Sequence, residues 1–416
     1  MLTAVAQPTG FAPDPMVRSR DRLLDPVGTA AHLSALLGRA PANATLVRTK
    51  YRIAESLRVL YRLDDGPLVT GRAFASTEAA ATAYQRALAA PGRPAVHDPE
   101  LATVWWTFPD DRRLRTLAAV LNPDPVRLGL PHPGWTASEL VEYAPERSAT
   151  FRAADARGDT VGYVKAYAPG TVDVGGLARR YAAVAGVLTE TPGGPVTPRP
   201  LGWAPTAGLL MLSPVPGLRW VDLPPDELPS TLHRLGAAFA AVHGIASPPG
   251  LSPFGRLRQS RLRTSAELVA RARRDVADVV TELAARLADG PPPGEPPVVL
   301  HGDCHPKNAL VDGEQIGLVD LDQAGTGPAA ADLGSLLARL HVDELVGGPS
   351  AAPLAAAVSA GYAGVRPLPG DRSLQWHTAA ALLAEQAMRA VNRVRLPVLD
   401  RLDALLDLAV AVLDGR

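Results

Sequence analysis

Residues 297–333, PVVLHGDCHPKNALVDGEQIGLVDLDQAGTGPAAADL, hold the side chains best suited to chemistry in this chain. Two apolar runs, Val298-Val299-Leu300 and Ile316-Gly317-Leu318-Val319, each end in polar residues. The first opens onto His301, Asp303 and Asn308; the second delivers Asp320 and Asp322. This pattern predicts strand, loop, short strand, turn, strand, acid. It offers one carboxylate to meet a substrate hydroxyl, and an amide plus a carboxylate, Asn308 and Asp320, to hold Mg²⁺ against a triphosphate. Phosphoryl transfer asks little covalent chemistry of a protein; positioning and charge neutralisation carry it, and these groups supply both. An aspartate at a strand end also serves as a plain turn cap, so Asp303 and Asp320 each carry that structural alternative.

The stretch resembles the catalytic loop and metal loop of the aminoglycoside phosphotransferase family, part of the protein-kinase-like superfamily. The residues that carry the resemblance are His301-Gly302-Asp303 with Asn308, then Leu318-Val319-Asp320, then Asp332-Leu333. It implies an α+β, bilobal protein-kinase-like fold, with a small antiparallel-sheet N-lobe and a mainly helical C-lobe. It further implies that Asp303 accepts or orients the hydroxyl, with His301 beside it in the catalytic loop as a brace. Asn308 and Asp320 are then the metal ligands, and Asp322 either joins them or bonds its own turn. Asp332 would brace the catalytic loop, and His305 would pack it.

Other elements must bring a nucleotide to these loops. Ser148–Ala153 and Val161–Tyr167 read as two strands joined by a polar hairpin at Gly158. A helix follows at about 175–188, then an apolar strand, Leu209–Leu212, running into Ser213-Pro214-Val215-Pro216-Gly217. The last segment resembles the family's hinge between lobes, so backbone at Met211, Ser213 and Val215 is expected against the nucleotide base. Lys165, late in its strand, matches the family's phosphate lysine, with an ordinary edge-strand lysine as the alternative. Residues 228–245 resemble the first C-lobe helix, and 373–414 read as two helices separated by Pro397. Two departures stand out. Glu146-Arg147-Ser148-Ala149-Thr150 lacks the glycines of a protein-kinase phosphate loop, which leaves Ser148 as the expected contact there. The helix after Lys165 carries no acid between Asp173 and Glu190, so either Asp173 pairs with the lysine or the usual pair is missing.

At 416 residues and 47% hydrophobic, the chain predicts two or three domains with sizeable cores. Lys+Arg and Asp+Glu are equal at 42 each, so no global charge recruits nucleic acid or a membrane surface. Cys304 is alone, which excludes an internal disulfide and any multi-cysteine metal site. The prolines Pro8, Pro13 and Pro15 argue against a signal peptide, and no apolar run approaches the ~20 residues of a membrane span. A cytoplasmic protein, where ATP is at hand, is the expectation. The Pro/Gly-rich residues 122–134 and 290–297 read as linkers. The division expected is an extension over 1–135, an N-lobe over 136–223 and a C-lobe over 224–416. The extension holds a faint echo: Arg72-Ala73-Phe74-Ala75 parallels Lys165-Ala166-Tyr167-Ala168, and each is followed by an Ala-rich helix and an apolar strand, Ala102–Phe108 in the first case. That suggests a duplicated N-lobe that has lost its lysine, or two unrelated pieces of biased composition. Such an extension offers a cap, a substrate platform or a homodimer surface.

The resemblance places the acceptor against C-lobe helices within 335–400. Aminoglycosides are polycations, yet acids are sparse in that span, with Asp343, Glu344, Asp371 and Glu385 among them. Arg389 and Arg393 stand one helical turn apart there. They form either a solvated face on which Glu385 pairs with Arg389, or a contact for a substrate anion. The resulting expectation is ATP- or GTP-dependent, Mg²⁺-assisted phosphoryl transfer to a small-molecule alcohol: a sugar, nucleoside, amino-alcohol or antibiotic. The alternatives are a peptide Ser/Thr kinase of natural-product maturation and a non-catalytic nucleotide-binding scaffold.

Overall fold

The computed structural model describes residues 11–38, 43–64, 66–88, 94–130, 132, 134–255, 257–292 and 294–416. Pro8, and the linker prolines Pro131, Pro133 and Pro293, lie outside the described residues. Helices α1 (Arg20–Leu24) and α2 (Pro26–Leu37) lead in; Asp25 caps α2 by accepting from the backbone N–H of Val27 and Gly28, with Pro26 at the first helical position. Then come β1 (Ala44–Arg52), β2 (Ser56–Leu63), β3 (Leu68–Phe74), α3 (Thr77–Leu88), β4 (Ala95–Asp98) and β5 (Thr103–Thr107), followed by the short α4 (Leu117–Leu121). The five strands form one antiparallel sheet in the order β1-β2-β3-β5-β4.

The next segment repeats this plan. Strands β6 (Ala137–Ala144), β7 (Ser148–Ala154) and β8 (Thr160–Tyr167) precede α5 (Val174–Thr189), and β9 (Pro200–Ala204) and β10 (Leu209–Leu212) follow it. Their order is β6-β7-β8-β10-β9, again all antiparallel. In both sheets the helix falls between the third and fourth strands in sequence, and the last strand inserts beside the third. Arg72 pairs with Val104 of β5, and Lys165 pairs with Leu210 of β10, so the two side chains hold corresponding places. Leu60, Leu68, Leu114 and Leu117 from the first segment and Tyr143, Phe151, Val164 and Leu209 from the second are buried in a single cluster. The two sheets therefore share a core.

The remaining chain is mainly helical. It contains β11 (Leu218–Arg219), α6 (Leu228–Gly244), α7 (Gln259–Ala272), α8 (Ala277–Leu287), β12 (Val298–Leu300), β13 (Ala309–Asp312), β14 (Gln315–Leu318), β15 (Gly325–Gly327), α9 (Ala329–Leu345) and α10 (Ala351–Ala363). Helices α6 and α10 touch by backbone: a Cβ at Gly361 would fall 1.7 Å from the His233 carbonyl oxygen, and one at Gly236 would fall 2.0 Å from that of Val358. The end of the chain departs from the two helices expected around Pro397. Helix α11 (Asp371–Ala381) runs through a π-helical turn at 382–387 into α12 (Met388–Arg393) and stops at Val394, which adopts φ 49°. Pro397 instead occupies the first turn of α13 (Leu396–Leu399), where its missing N–H is harmless; α14 (Leu402–Leu413) closes the chain. No helix among the described residues is long and apolar enough to cross a membrane.

Candidate active site

The two loops singled out in the sequence meet at the mouth of the short β12–β15 and β13–β14 pairs. The catalytic loop leaves β12 through Gly302, at φ +78°, where a Cβ would come within 2.2 Å of the Gln323 carbonyl oxygen, so only glycine fits. Asp332, buried at the start of α9, fixes this turn: it accepts from the backbone N–H of His301 at 2.7 Å and of Gly302 at 2.9 Å. His243 of α6 reaches the same carboxylate at 3.2 Å and the Tyr362 hydroxyl at 3.0 Å. Burial works against charge on Asp332, but His243, His301 and the Gly302 amide outweigh it and hold its pKa below the usual carboxylate value.

His301 joins the two loops. Its Nε2–H donates to the Val319 carbonyl at 2.9 Å, and its Nδ1 accepts from the Asp303 amide at 3.3 Å. The ring is buried, so it braces Asp303 and is not exposed to a substrate. Asn308 donates through Nδ2 to the Asp303 carbonyl at 3.0 Å, which leaves its Oδ1 without a hydrogen bond among the described residues. His305 packs between the loop and two arginines; burial first, then Arg339 and Arg389, push its pKa down to about 3, so it is neutral and no proton store near pH 7. Burial likewise pushes the Cys304 thiol up, with Asp332 adding to it, and the thiol is inert.

Opposite the catalytic loop, Asp320 turns the chain at φ 66°, a left-handed conformation rare outside glycine. Lys165 on β8 bridges both acids of this turn, with Nζ 2.6 Å from Asp320 Oδ1 and 2.6 Å from Asp322 Oδ1. The missing helix acid has a substitute. Tyr181 of α5 donates to Asp322 Oδ1 at 2.8 Å and accepts from Lys165 at 3.4 Å, and Tyr167 donates to Asp322 Oδ2 at 2.8 Å. Asp173 does not serve; it caps α5 through the Gly176 amide. Burial opposes the charge on Lys165, but Asp322 and Asp320 outweigh it and raise its pKa. Burial also pushes Asp320 up despite Lys165, with Asp322 and Asp303 adding to the rise. Asp322 is held down, burial notwithstanding, by Lys165 and the two tyrosine hydroxyls. Both Asp322 oxygens already accept from protein donors, which ties it to Lys165 and leaves little of it for a metal. Tyr181→Phe removes a buried hydroxyl that links lysine and acid; it is expected to lower unfolding free energy by about 1–3 kcal/mol in urea titrations.

The expected hinge is partly redistributed. Met211 lies inside β10, paired with β8 and β9, and its thioether end would sit 2.7 Å from a Cβ at Gly162. Ser213, just past the end of β10, is tied to the residue before β9, its N–H donating to the Arg199 carbonyl and its Oγ accepting from the Arg199 amide. Val215 lies two residues further on; its side chain rests where a Cβ of Gly317 would be, 2.4 Å away. Ser148 opens β7, opposite Ala144 and Tyr167. The preceding hairpin turn is held from outside. Glu146, φ 60° and 1% exposed at its side chain, receives Arg58, Arg72 and Arg112, with Arg72 Nη1 at 2.8 Å and Arg112 Nε at 2.7 Å. Asp111 adds bonds to the Glu146 amide and the Tyr143 hydroxyl, each at 2.7 Å.

On the α9 side of the catalytic loop, Arg339 donates through Nε to the Cys304 carbonyl at 2.5 Å and through Nη2 to Asp303 Oδ1 at 3.3 Å. Glu385, expected on a solvated face beside Arg389, is instead turned inward by the π-helical turn; it is 5% exposed, accepts from Ser335 at 2.6 Å and lies 3.7 Å from Arg339. Arg389 points to Asp303, 4.0 Å away, and Arg393 lies half-buried a turn further on. Sequence reasoning named neither Arg339, Tyr181 and Tyr167 nor Glu146 as a site residue, and no local spacing marks any of them.

Residues 142–368, more than half of the chain, match the sequence profile of the phosphotransferase enzyme family, APH. The chain belongs to that family. It is a phosphotransferase with an alcohol group as acceptor, acting on small molecules. No curated protein matches it. Similar solved structures include macrolide 2'-phosphotransferase MphH from Brachybacterium faecium, at 20% identity over 72% of this chain and 98% of that one, with TM-score 0.44. A choline/ethanolamine kinase family protein from Mesorhizobium loti is 18% identical over 71% and 92%, with TM-score 0.47. Aminoglycoside phosphotransferase APH(3'')-Id from Streptomyces rimosus, in complex with ADP and streptomycin, is 22% identical over 65% and 98%, with TM-score 0.43.

Proposed function

We propose that the chain moves the γ-phosphoryl group of ATP or GTP to a hydroxyl of a small molecule held between Asp303 and the arginines of α9 and α12. The observation that carries this reading is the joining of two loops through one buried imidazole: His301 holds Asp303 on one side and the Val319–Asp320 turn on the other. Asp303 orients the hydroxyl and accepts its proton; Arg339 fixes the carboxylate that does so. Lys165 exchanges Asp320 for the phosphates that are not transferred, with Asp322 and Tyr181 keeping the ammonium in place. Backbone near Val215 meets the base, and Ser148 with the hairpin above it covers the phosphates. The first sheet is a second N-lobe whose lysine position carries Arg72, a reading supported by the shared strand order and register.

The donors at the metal loop suit Mg²⁺. Asn308 Oδ1 and the Asp320 carboxylate are hard oxygens, and among the described residues no cluster of three or more His, Cys, Asp or Glu forms a closed site for another ion. These two residues would hold Mg²⁺, which supplies charge neutralisation at the phosphates. Calorimetry of nucleotide binding with and without Mg²⁺ tests the assignment. In the wild type each ligand tightens the other by the same factor; Asp320→Ala is expected to abolish that coupling and retain metal-free nucleotide binding. Tight Mg²⁺ binding without nucleotide, or coupling that survives in Asp320→Ala, overturns it.

A further inference from the structure

One face of the first sheet is a row of cations. Lys50, Arg58 and Arg72 are cross-strand partners on β1, β2 and β3. Like charges placed directly opposite repel unless an acid intervenes. Arg58 and Arg72 have theirs in Glu146. Among the described residues the Lys50 side chain makes no ion pair or hydrogen bond. It faces further cations instead, because β1 packs against α12 at the rim of the catalytic loop. Arg393 meets it from α12, Arg147 from the β6–β7 turn and Arg261 from α7. The Arg393 guanidinium also makes no ion pair or hydrogen bond among the described residues, although it lies half-buried beside Arg48, Arg147 and Arg389.

The acids in reach are committed. Glu142 accepts from Arg48 at 2.6 Å, and Asp303 faces Arg339 at 3.3 Å and Arg389 at 4.0 Å. The strain is visible in the protonation preferences. Burial first, then Arg393, Arg52, Arg147 and Arg261, depress Lys50 to about 8; burial, then Arg48, Arg389 and Arg147, depress Arg393 to about 10, with Glu142 opposing. Holding two half-buried cations together, with Glu142 the acid in reach and already paired with Arg48, lowers stability unless an anion joins them. The Arg389 guanidinium links this patch to Asp303, which places it on the acceptor side.

We propose that the acceptor carries an anionic group, a phosphate or a carboxylate, which Lys50, Arg393 and Arg147 bind while its hydroxyl meets Asp303. The proposal rests on the phosphotransferase reading and makes the first sheet part of the acceptor cleft, through Arg48 and Lys50 of β1. It directs the search for substrate to sugar phosphates, nucleotides and hydroxy acids, and away from polycationic antibiotics.

Thermal unfolding in inorganic phosphate, against KCl of equal ionic strength, tests the site on the full chain, alone and with AMP-PNP and Mg²⁺. In the wild type, phosphate is expected to raise Tm by a few degrees beyond KCl, while Lys50→Met and Arg393→Gln lose that increment. In low salt without phosphate, Lys50→Met should melt higher than the wild type, because a repelled cation is gone; a lysine with a merely structural role would give the reverse. In turnover assays over paired neutral, cationic and anionic alcohols, anionic acceptors should be preferred. Lys50→Met should then raise the acceptor KM about tenfold or more with the nucleotide KM unchanged. Equal shifts from phosphate and KCl in the wild type, a phosphate increment retained in both variants, or a nucleotide KM that rises in place of the acceptor KM overturns the anion site. Should AMP-PNP with Mg²⁺ give no shift, the phosphotransferase reading falls instead, and the phosphate arm on the protein alone still decides the anion site.

Discussion

Asp303→Asn is expected to lower turnover about 10³-fold or more and to leave the affinity for AMP-PNP with Mg²⁺ within about twofold of wild type. The amide keeps the size of the carboxylate and can still receive Arg339, so the loop should hold its shape. What it lacks is the basicity to take the hydroxyl proton and the charge that orients the donor. The nucleotide-side groups, Lys165, Asp320 and Asn308, are untouched. Steady-state kcat alongside calorimetry of the analogue separates the two effects. A variant that retains its rate, or that loses nucleotide binding to the same degree, removes Asp303 from the proposed role.

The second large effect is on stability. Glu146→Gln removes the buried carboxylate that three guanidinium groups, those of Arg58, Arg72 and Arg112, share, and leaves Asp111 as the acid beside them. Breaking a buried ion network in this way lowers stability by about 3–5 kcal/mol; the arginines are 15–24% exposed, which moves the expected loss toward the lower figure. Burial opposes ionisation of Glu146, but Arg58, Arg112 and Arg72 prevail, so its folded pKa lies below its unfolded value. The stability this gives is present in full above the unfolded value and is lost as pH falls through the folded one. Urea titrations at pH 7 and below pH 4 should therefore show a wide gap between wild type and variant that narrows in acid. The nucleotide KM should rise as well, since Ser148 stands two residues beyond the one that is released.

The meeting of the two loops was legible because their spacing is local: His301, which bonds both, lies with Asp303, Asn308 and Asp320 in one short stretch. So was the brace at Asp332, which bonds the His301 and Gly302 amides as the resemblance implied. Strands β7 and β8 fell where the hairpin around Gly158 placed them, whereas β6 and β9 of the same sheet were not anticipated. What escaped depends on distance along the chain. Glu146 meets Arg58 across 88 residues and Arg72 across 74, and no periodicity records such a pairing. Tyr181 was visible as a residue but not as the stand-in for an acid, because its hydroxyl acts only once Asp322 is folded beneath it. The burial of Glu385 was hidden for a different reason: a π-helical turn shifts the helix face, and ordinary 3.6-residue spacing assigns the residue to solvent. The end of helix α12 at Val394 carries no proline or glycine to announce it.

The core shared by the two sheets bears on how the enzyme can be cut. The family-matched segment, 142–368, looks like a natural minimal catalyst. Yet Leu60, Leu68, Leu114 and Leu117 cover the back of Phe151 and Val164, and Arg58, Arg72 and Arg112 neutralise Glu146. A fragment beginning near residue 136 would present an apolar sheet face and an uncompensated buried acid to water, the profile of an aggregating protein. Engineers grafting this catalytic module, or trimming it for crystallisation, would do better to carry the first sheet along as an internal chaperone.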